Sequence, residues 1–150
     1  MLRVLPFAAA DFSSLERRPF TDLELAAQSQ DARSLGELYE RGGPSFTFWR
    51  EDGMGKRPIL CGGAVESHPG HATVWAALSR DASADILWIT KRVRAFVNSL
   101  SHRRLDAFVA AANPGAIGWA KLCGFSEEAR LQSYYPDGGE CVVMVNLRED

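Results

Sequence analysis

Asn113-Pro114-Gly115-Ala116-Ile117-Gly118-Trp119-Ala120-Lys121-Leu122-Cys123-Gly124-Phe125 decides the fold of this chain. Asparagine is a strong helix N-cap, because its side-chain oxygen takes an orphan amide of the first turn. Proline next to it suits the first helical position, where its missing N–H costs nothing. Gly124 stands where a residue of positive φ would end the helix, and Phe125 can fold back onto the last turn. The spacing predicts a helix of barely three turns, too short to hold without tertiary packing.

Immediately before it, Leu105 to Ala112 is mostly apolar without clean alternation, the pattern of a strand covered on both faces in a parallel sheet. A buried strand, a capped short helix, Gly-Phe and a closing hairpin together resemble the C-terminal half of the GNAT acetyltransferases. In that superfamily the helix begins with Asn, has a small residue three on, and ends in an apolar residue, a Tyr, a Lys and Gly-Phe. Asn113, Ala116, Trp119, Lys121, Gly124 and Phe125 match this, and Ala120 stands where the tyrosine would be. The resemblance implies an α/β (α+β) fold: a single mixed, mostly antiparallel sheet of about six or seven strands. It also implies helices on both faces and a splayed parallel strand pair, in one domain over residues 1–150.

Composition agrees with a globular domain. A hydrophobic share of 46% is enough to furnish a core. A formal net charge of -2 argues against a dedicated nucleic-acid or anionic-membrane binder. Cys61, Cys123 and Cys141 form no close pair and no metal-ligand spacing, as expected of reduced thiols in a cytoplasmic protein. Leu2 to Ala10 is apolar, but the run is short and Asp11 and Glu16 follow closely, so no targeting segment is expected. No stretch approaches the length that crosses a bilayer as a helix.

The remaining elements follow from periodicity. Arg3 to Phe7 is a first strand, in which Pro6 demands an edge position or a bulge. Asp11 to Gln28, interrupted by Pro19, suggests short helices using Leu15, Leu23, Leu25 and Ala26. Asp31 to Arg41 predicts a helix with Leu35 and Leu38 inward, stopped by Gly42-Gly43. Its acidic residues Asp31, Glu37 and Glu40 suit a solvated face or an acidic rim for an amine. Phe46 to Trp49 and Ile59 to Val65 predict a hairpin with a longish loop over Glu51 to Pro58. Gly62-Gly63 suggests a bulge or a close backbone approach. Pro69-Gly70 leads into a strand over Ala72 to Leu78. Asp85 to Leu100 is helical, with Ile86, Ile89, Val93, Phe96, Val97 and Leu100 on one face. It is the crossover joining two parallel strands. Ala129 to Tyr135 and Cys141 to Leu147 flank Pro136-Asp137-Gly138-Gly139 as a final hairpin.

Candidate chemistry centres on the turn after Leu78. Anions bind where backbone amides converge at a helix N-terminus, and here that place is Ser79-Arg80-Asp81-Ala82-Ser83-Ala84-Asp85. GNAT enzymes carry a Gln/Arg-x-x-Gly-x-Gly/Ala loop there. The best register sets Ser79, Ala82 and Ala84 on its fixed positions, so the first glycine is lost. Asp81 and Asp85 would repel phosphate, and Arg80 could offset them. The resemblance thus assigns acetyl-CoA, or another acyl-CoA, as co-substrate to Leu78, Ser79, Arg80, Ala82, Ser83, Ala84 and Asn113. For Asn113, helix capping alone would also explain the residue.

Acetyl transfer to an amine needs a base for the nucleophile and an acid for the departing thiolate. With Ala120 in the tyrosine position, Tyr134 or Tyr135 is the better acid, and Tyr134 is assigned. Cys123 is expected to be a small buried hydrophobe. Glu66 is assigned as base, working through a water, ahead of His68 and His71 near the turn. Trp49 and Trp75 could line an acceptor side or serve packing. No Ser-His-Asp or Cys-His set is apparent, and His68, His71 and His102 form no ligand cluster for a metal.

The expected activity is acyl-CoA-dependent N-acetyl transfer to a small-molecule or peptide amine, by a monomer or homodimer. Partners would include neither nucleic acid nor membrane. The lost loop glycine, the missing helix tyrosine and the abbreviated N-terminal helices also resemble divergent GNAT-like proteins encoded by tailed phages. That gives the alternative of a catalytically inactive interaction or virion-associated protein, in the host cytoplasm or the virion.

Overall fold

A computed structural model describes residues 1–16 and 31–149. The expected helical positions Leu23, Leu25 and Ala26, with Pro19, lie outside the described residues. Among those described, seven strands form one sheet in the order β1-β2-β3-β4-β5-β7-β6. The strands are β1 (Leu2–Pro6), β2 (Ser45–Asp52), β3 (Gly55–His68), β4 (His71–Leu78), β5 (Arg104–Ala110), β6 (Ser126–Leu131) and β7 (Cys141–Leu147). The helices are α1 (Ala9–Ser14), α2 (Ala32–Gly42), α3 (Ile86–Ser99) and α4 (Pro114–Leu122). This is the expected order of elements, with one parallel pair, β4 and β5. Contacts group the residues into two units, Met1–Val65 with Trp75–Ala84, and Glu66–Val74 with Asp85–Asp150.

In the first unit, β1 pairs antiparallel with β2 from Leu2↔Arg50 to Pro6↔Phe46, so Pro6 sits on an edge strand as its missing N–H requires. The hairpin β2–β3 is longer than predicted: the ladder runs to Asp52↔Gly55, leaving only Gly53 and Met54 in the turn. Gly55 supplies φ +106°, and the Met54 amide donates to Asp52 Oδ1 at 2.8 Å. Charged residues expected in a loop, Glu51, Asp52, Lys56 and Arg57, are paired strand residues instead. The bulge is also displaced from its predicted place. It falls opposite Phe48 and Trp49, where the partner jumps from Leu60 to Pro58, while Gly62 and Gly63 keep regular register against β2. Close approach is what those glycines serve. A Cβ on Gly63 would stand 2.6 Å from Pro44 O, and one on Gly62 would stand 3.2 Å from Trp75 O.

The core of this unit is Phe7, Phe12, Leu15, Leu35, Cys61 and Ala77, with Ala32, Tyr39 and Trp75 packed against it. Asp31 caps α2 by accepting from the Ser34 amide at 2.7 Å. Leu35 is buried as predicted, but Leu38 is exposed. Tyr39 takes the inward place, stacked on Trp75 at 3.9 Å between ring centroids, because one aromatic plane covers the indole better than a leucine. Packing is therefore the role the structure gives Trp75.

In the second unit, β4 pairs with β5 in parallel over His71↔Arg104, Ala72↔Leu105 and Thr73↔Asp106, and α3 is the crossover between them. The ladder ends there, short of the end of either strand. Ile89, Val93 and Val97 of α3 are buried, in line with the predicted face. β5 continues antiparallel with β7, and β7 with β6. Two expectations need correction here. β5 is not covered throughout, since Phe108 is 38% exposed. The first strand of the last hairpin both begins and ends earlier: β6 runs from Ser126 to Leu131, and Ser133 has φ +52°. Tyr134 and Tyr135 thus belong to the connection, where both amides donate to Gly139 O.

Candidate functional site

The loop predicted to meet phosphate follows Leu78 in the first unit. It is a short 3-10 turn, Ala82–Asp85, leading into α3. Three of its amides are committed to the protein: Ser79 donates to Ile59 O at 2.9 Å, Arg80 to Glu16 O at 3.2 Å and Ala82 to Ser79 O at 3.3 Å. The loop is organised around a residue that sequence reasoning treated as an obstacle. Asp81 accepts from Ser79 Oγ at 2.5 Å, from Arg50 Nη1 at 2.8 Å and from Arg57 Nε at 3.2 Å. Arg50 Nη2 also donates to Asp81 O at 3.3 Å. The Ser79 hydrogen bond, then that of Arg57 and the charges of both arginines, hold the Asp81 carboxyl below the usual carboxylate range against some desolvation. Two guanidiniums on one carboxylate remove its objection to a neighbouring anion. Arg50 and Arg57 come from the β2–β3 hairpin, 31 and 24 residues away in sequence, so no local pattern could have flagged them.

In the second unit, α4 is built as its sequence dictates. Asn113 accepts from the Ala116 amide at 3.2 Å and Pro114 is the first helical residue. Gly124 takes φ +103°, and the Phe125 amide donates back to Ala120 O at 3.0 Å with its ring buried. Asn113 therefore has its capping role, and Ala120 is buried. Trp119 Nε1 donates to Thr90 Oγ1 of α3 at 2.9 Å. Cys123 is buried, and burial pushes its thiol up to about 11, as befits the inert residue expected.

The proposed base and acid also lie in this unit, with different partners. Glu66 sits in β3, two residues before its end, and its half-exposed carboxylate accepts from His102 Nε2 at 2.9 Å. His102 is buried, and its Nδ1 has no hydrogen-bond partner among the described residues. Tyr134 is 44% exposed and lies parallel to Phe108 at 6.3 Å. Tyr135 is buried, its hydroxyl directed at Cys141 Sγ at 3.7 Å. Tyr134 is thus the more accessible phenol. His71 Nε2 lies 2.8 Å from Asp106 Oδ2. His68 Nδ1 accepts from the Gly70 amide at 3.0 Å. Sequence separation hid His102 and Asp106, each brought to its partner by the return of β5.

No protein-family profile matches the chain, and no curated protein matches it by sequence. Solved structures do match over nearly its whole length. A structure assigned provisionally as a phosphinothricin N-acetyltransferase has 15% identity and a TM-score of 0.69, with 100% of both chains covered. The ribosomal-protein-S18-alanine N-acetyltransferase from Escherichia coli has 17% identity and a TM-score of 0.70, covering 98% of this chain and 94% of that one. The spermidine N-acetyltransferase from Vibrio cholerae, in complex with CoA and spermine, has 17% identity and a TM-score of 0.63, covering 97% and 95%. The seven-stranded mixed sheet with its β4–β5 parallel pair is therefore the GNAT fold that these N-acetyltransferases share.

Proposed function

We propose that the protein is an acyl-CoA-dependent N-acetyltransferase of the GNAT type, moving an acetyl group from the thioester to an amine. The observation that carries this reading is the short parallel ladder. β4 and β5 pair over three positions, and β4 then continues to Leu78, offering main chain that an extended pantetheine arm could pair with as a further strand does. Beyond Leu78, the turn Ser79–Ala84 would meet the pyrophosphate. Three amides of that turn, those of Ser79, Arg80 and Ala82, already donate within the protein. A structural neighbour holding CoA and spermine supports an acyl-CoA donor and an amine acceptor. The acceptor class here is a small-molecule or peptide amine.

The amine nitrogen attacks the thioester carbonyl, the C–S bond breaks, and the thiolate leaves with a proton. Glu66, through a water, is the base that removes the ammonium proton, and His102 holds its carboxylate in place. Tyr134 is the acid that protonates the thiolate, in the absence of a tyrosine at position 120. Holding thioester and amine together supplies most of the rate. Each proton transfer adds about 10²–10⁴-fold. The test is release of free thiol from acetyl-CoA with a panel of amines, comparing Glu66→Gln and Tyr134→Phe with the parent. Amine-dependent release that falls at least tenfold in each variant supports the assignment. Unchanged rates in both remove the acid and base while leaving the reaction. No amine-dependent release with any acceptor overturns the reaction itself and favours an interaction module on this fold.

A further inference from the structure

Three residues that acetyl transfer does not use form a hydrogen-bonded row in the second unit. His71 and Thr73 are two apart on β4, hence on one face, and Thr73 is in register with Asp106 on β5. That register sets the Asp106 carboxylate between their side chains. His71 Nε2 lies 2.8 Å from Oδ2, and Thr73 Oγ1 donates to Oδ1 at 2.7 Å. Arg104 Nε lies 3.6 Å from Oδ2. At the other side of the imidazole, Ser67 Oγ contacts His71 Nδ1. Asp106 is buried, the His71 side chain is 24% exposed, and Ser67 is at the surface.

Donor and acceptor chemistry assigns directions along this row. A carboxylate only accepts, so His71 Nε2 carries the hydrogen and, in the neutral ring, Nδ1 offers its lone pair to the Ser67 hydroxyl. When the ring gains a proton, Nδ1–H donates to Ser67 Oγ, and the hydroxyl hydrogen turns to His71 O at 3.3 Å. Both protonation states are therefore satisfied without movement of heavy atoms. An exposed hydroxyl, a base in contact with it and a buried carboxylate orienting that base are the parts of an activated serine nucleophile.

We propose that Ser67 is such a nucleophile, with His71 as general base and Asp106 as its positioning residue, in a site that takes activated carboxylic esters. Ser67 Oγ attacks the ester carbonyl, its proton passes to His71 Nδ1, and the bond to the aryl oxygen breaks to release a phenolate and leave an acyl-Ser67 ester. The imidazolium then gives its proton to solvent. Water attacks the acyl group, passing a proton through Nδ1 to the departing Ser67 oxygen, and the carboxylate leaves with one proton lost to solvent. Neither half needs acyl-CoA, so this site stands or falls apart from the acetyltransferase reading.

The probe is an alkyl fluorophosphonate, in which the Oγ–P bond forms as fluoride leaves and the proton goes to His71. It is applied to the whole folded protein without acetyl-CoA, and the adduct is located by peptide mass spectrometry. General-base assistance of about 10²–10⁴-fold predicts one label, on Ser67. S67A, a change at the surface, should lose it, and H71Q should slow it at least tenfold. D106N, whose amide would donate to Nε2 and turn the tautomer, should lower the rate at saturating probe without moving the half-saturating concentration. Equal labelling of S67A, label on other residues only, H71Q labelling as fast as the parent, or no label on the folded protein each overturns the proposal.

Discussion

Asp81→Ala removes the residue that ties the loop after β4 to the β2–β3 hairpin. The carboxylate accepts three side-chain hydrogen bonds, of which the two from Arg50 and Arg57 are charge-assisted. Charged hydrogen bonds contribute about 1.5–3 kcal/mol each when buried. Asp81 is 43% exposed, Arg57 31% and Arg50 15%, so solvent screens much of this. A net loss of about 1–2 kcal/mol is expected, which lowers the melting temperature by about 2–8 °C for a domain of this size. The pH dependence has a definite sign. The Asp81 carboxyl is depressed in the folded state, first by Ser79 and then by the arginines. Its contribution is present above the unfolded value of about 3.9 and disappears as pH falls through the lower folded value. Melting curves of parent and Asp81→Ala should therefore differ at pH 7 and converge as pH falls below about 4. A gap below 0.5 °C at pH 7, or one that widens in acid, would refute the role given to Asp81.

Other predictions are equally direct. Gly63→Ala places a Cβ 2.6 Å from Pro44 O and from Ser45 Cβ and should cost about 1–3 kcal/mol by overpacking. Gly53→Ala, with nothing within 4 Å, should leave urea unfolding almost unchanged, and equal effects at the two sites would contradict the close approach. Asn113→Ala removes the cap of α4 and should cost about 1 kcal/mol; Asn113→Asp, which keeps an accepting oxygen, should recover most of it. Burial pushes Cys61 up to about 12 and Cys123 up to about 11, so neither is a ready thiolate at neutral pH. A disulfide-exchange reagent at pH 8 should leave both unmodified in the folded protein and titrate them after denaturation. Rapid labelling of either one in the native state would contradict their packing.

What the sequence made legible is what neighbouring residues decide. Asn113, Pro114, Gly124 and Phe125 specify α4 and its two ends within one short stretch, and each behaves in the structure as its chemistry demands. The α3 face was equally plain, because Ile89, Val93 and Val97 repeat at helical spacing. Errors arose where a distant partner decides. Glu51 to Pro58 reads as a charged loop, yet Gly55 permits a tight turn and the charges pair along and beyond the hairpin. Leu38 loses its inward place to Tyr39 because Trp75, from strand β4, offers a flat partner. Tyr134 looked like a strand residue, but Ser133 breaks the strand at positive φ. The polar pairs of each unit were hidden for the same reason. Asp81 meets Arg50 and Arg57, Glu66 meets His102 and His71 meets Asp106 only after the sheet is assembled.

The most direct test of acyl-CoA recognition is a melting curve of the intact protein with and without acetyl-CoA. At a hundred times its dissociation constant a ligand that binds only the folded state adds about 2.7 kcal/mol. Binding should raise the melting temperature by about 5–10 °C and saturate with concentration. A melting temperature unmoved by millimolar acetyl-CoA would contradict it.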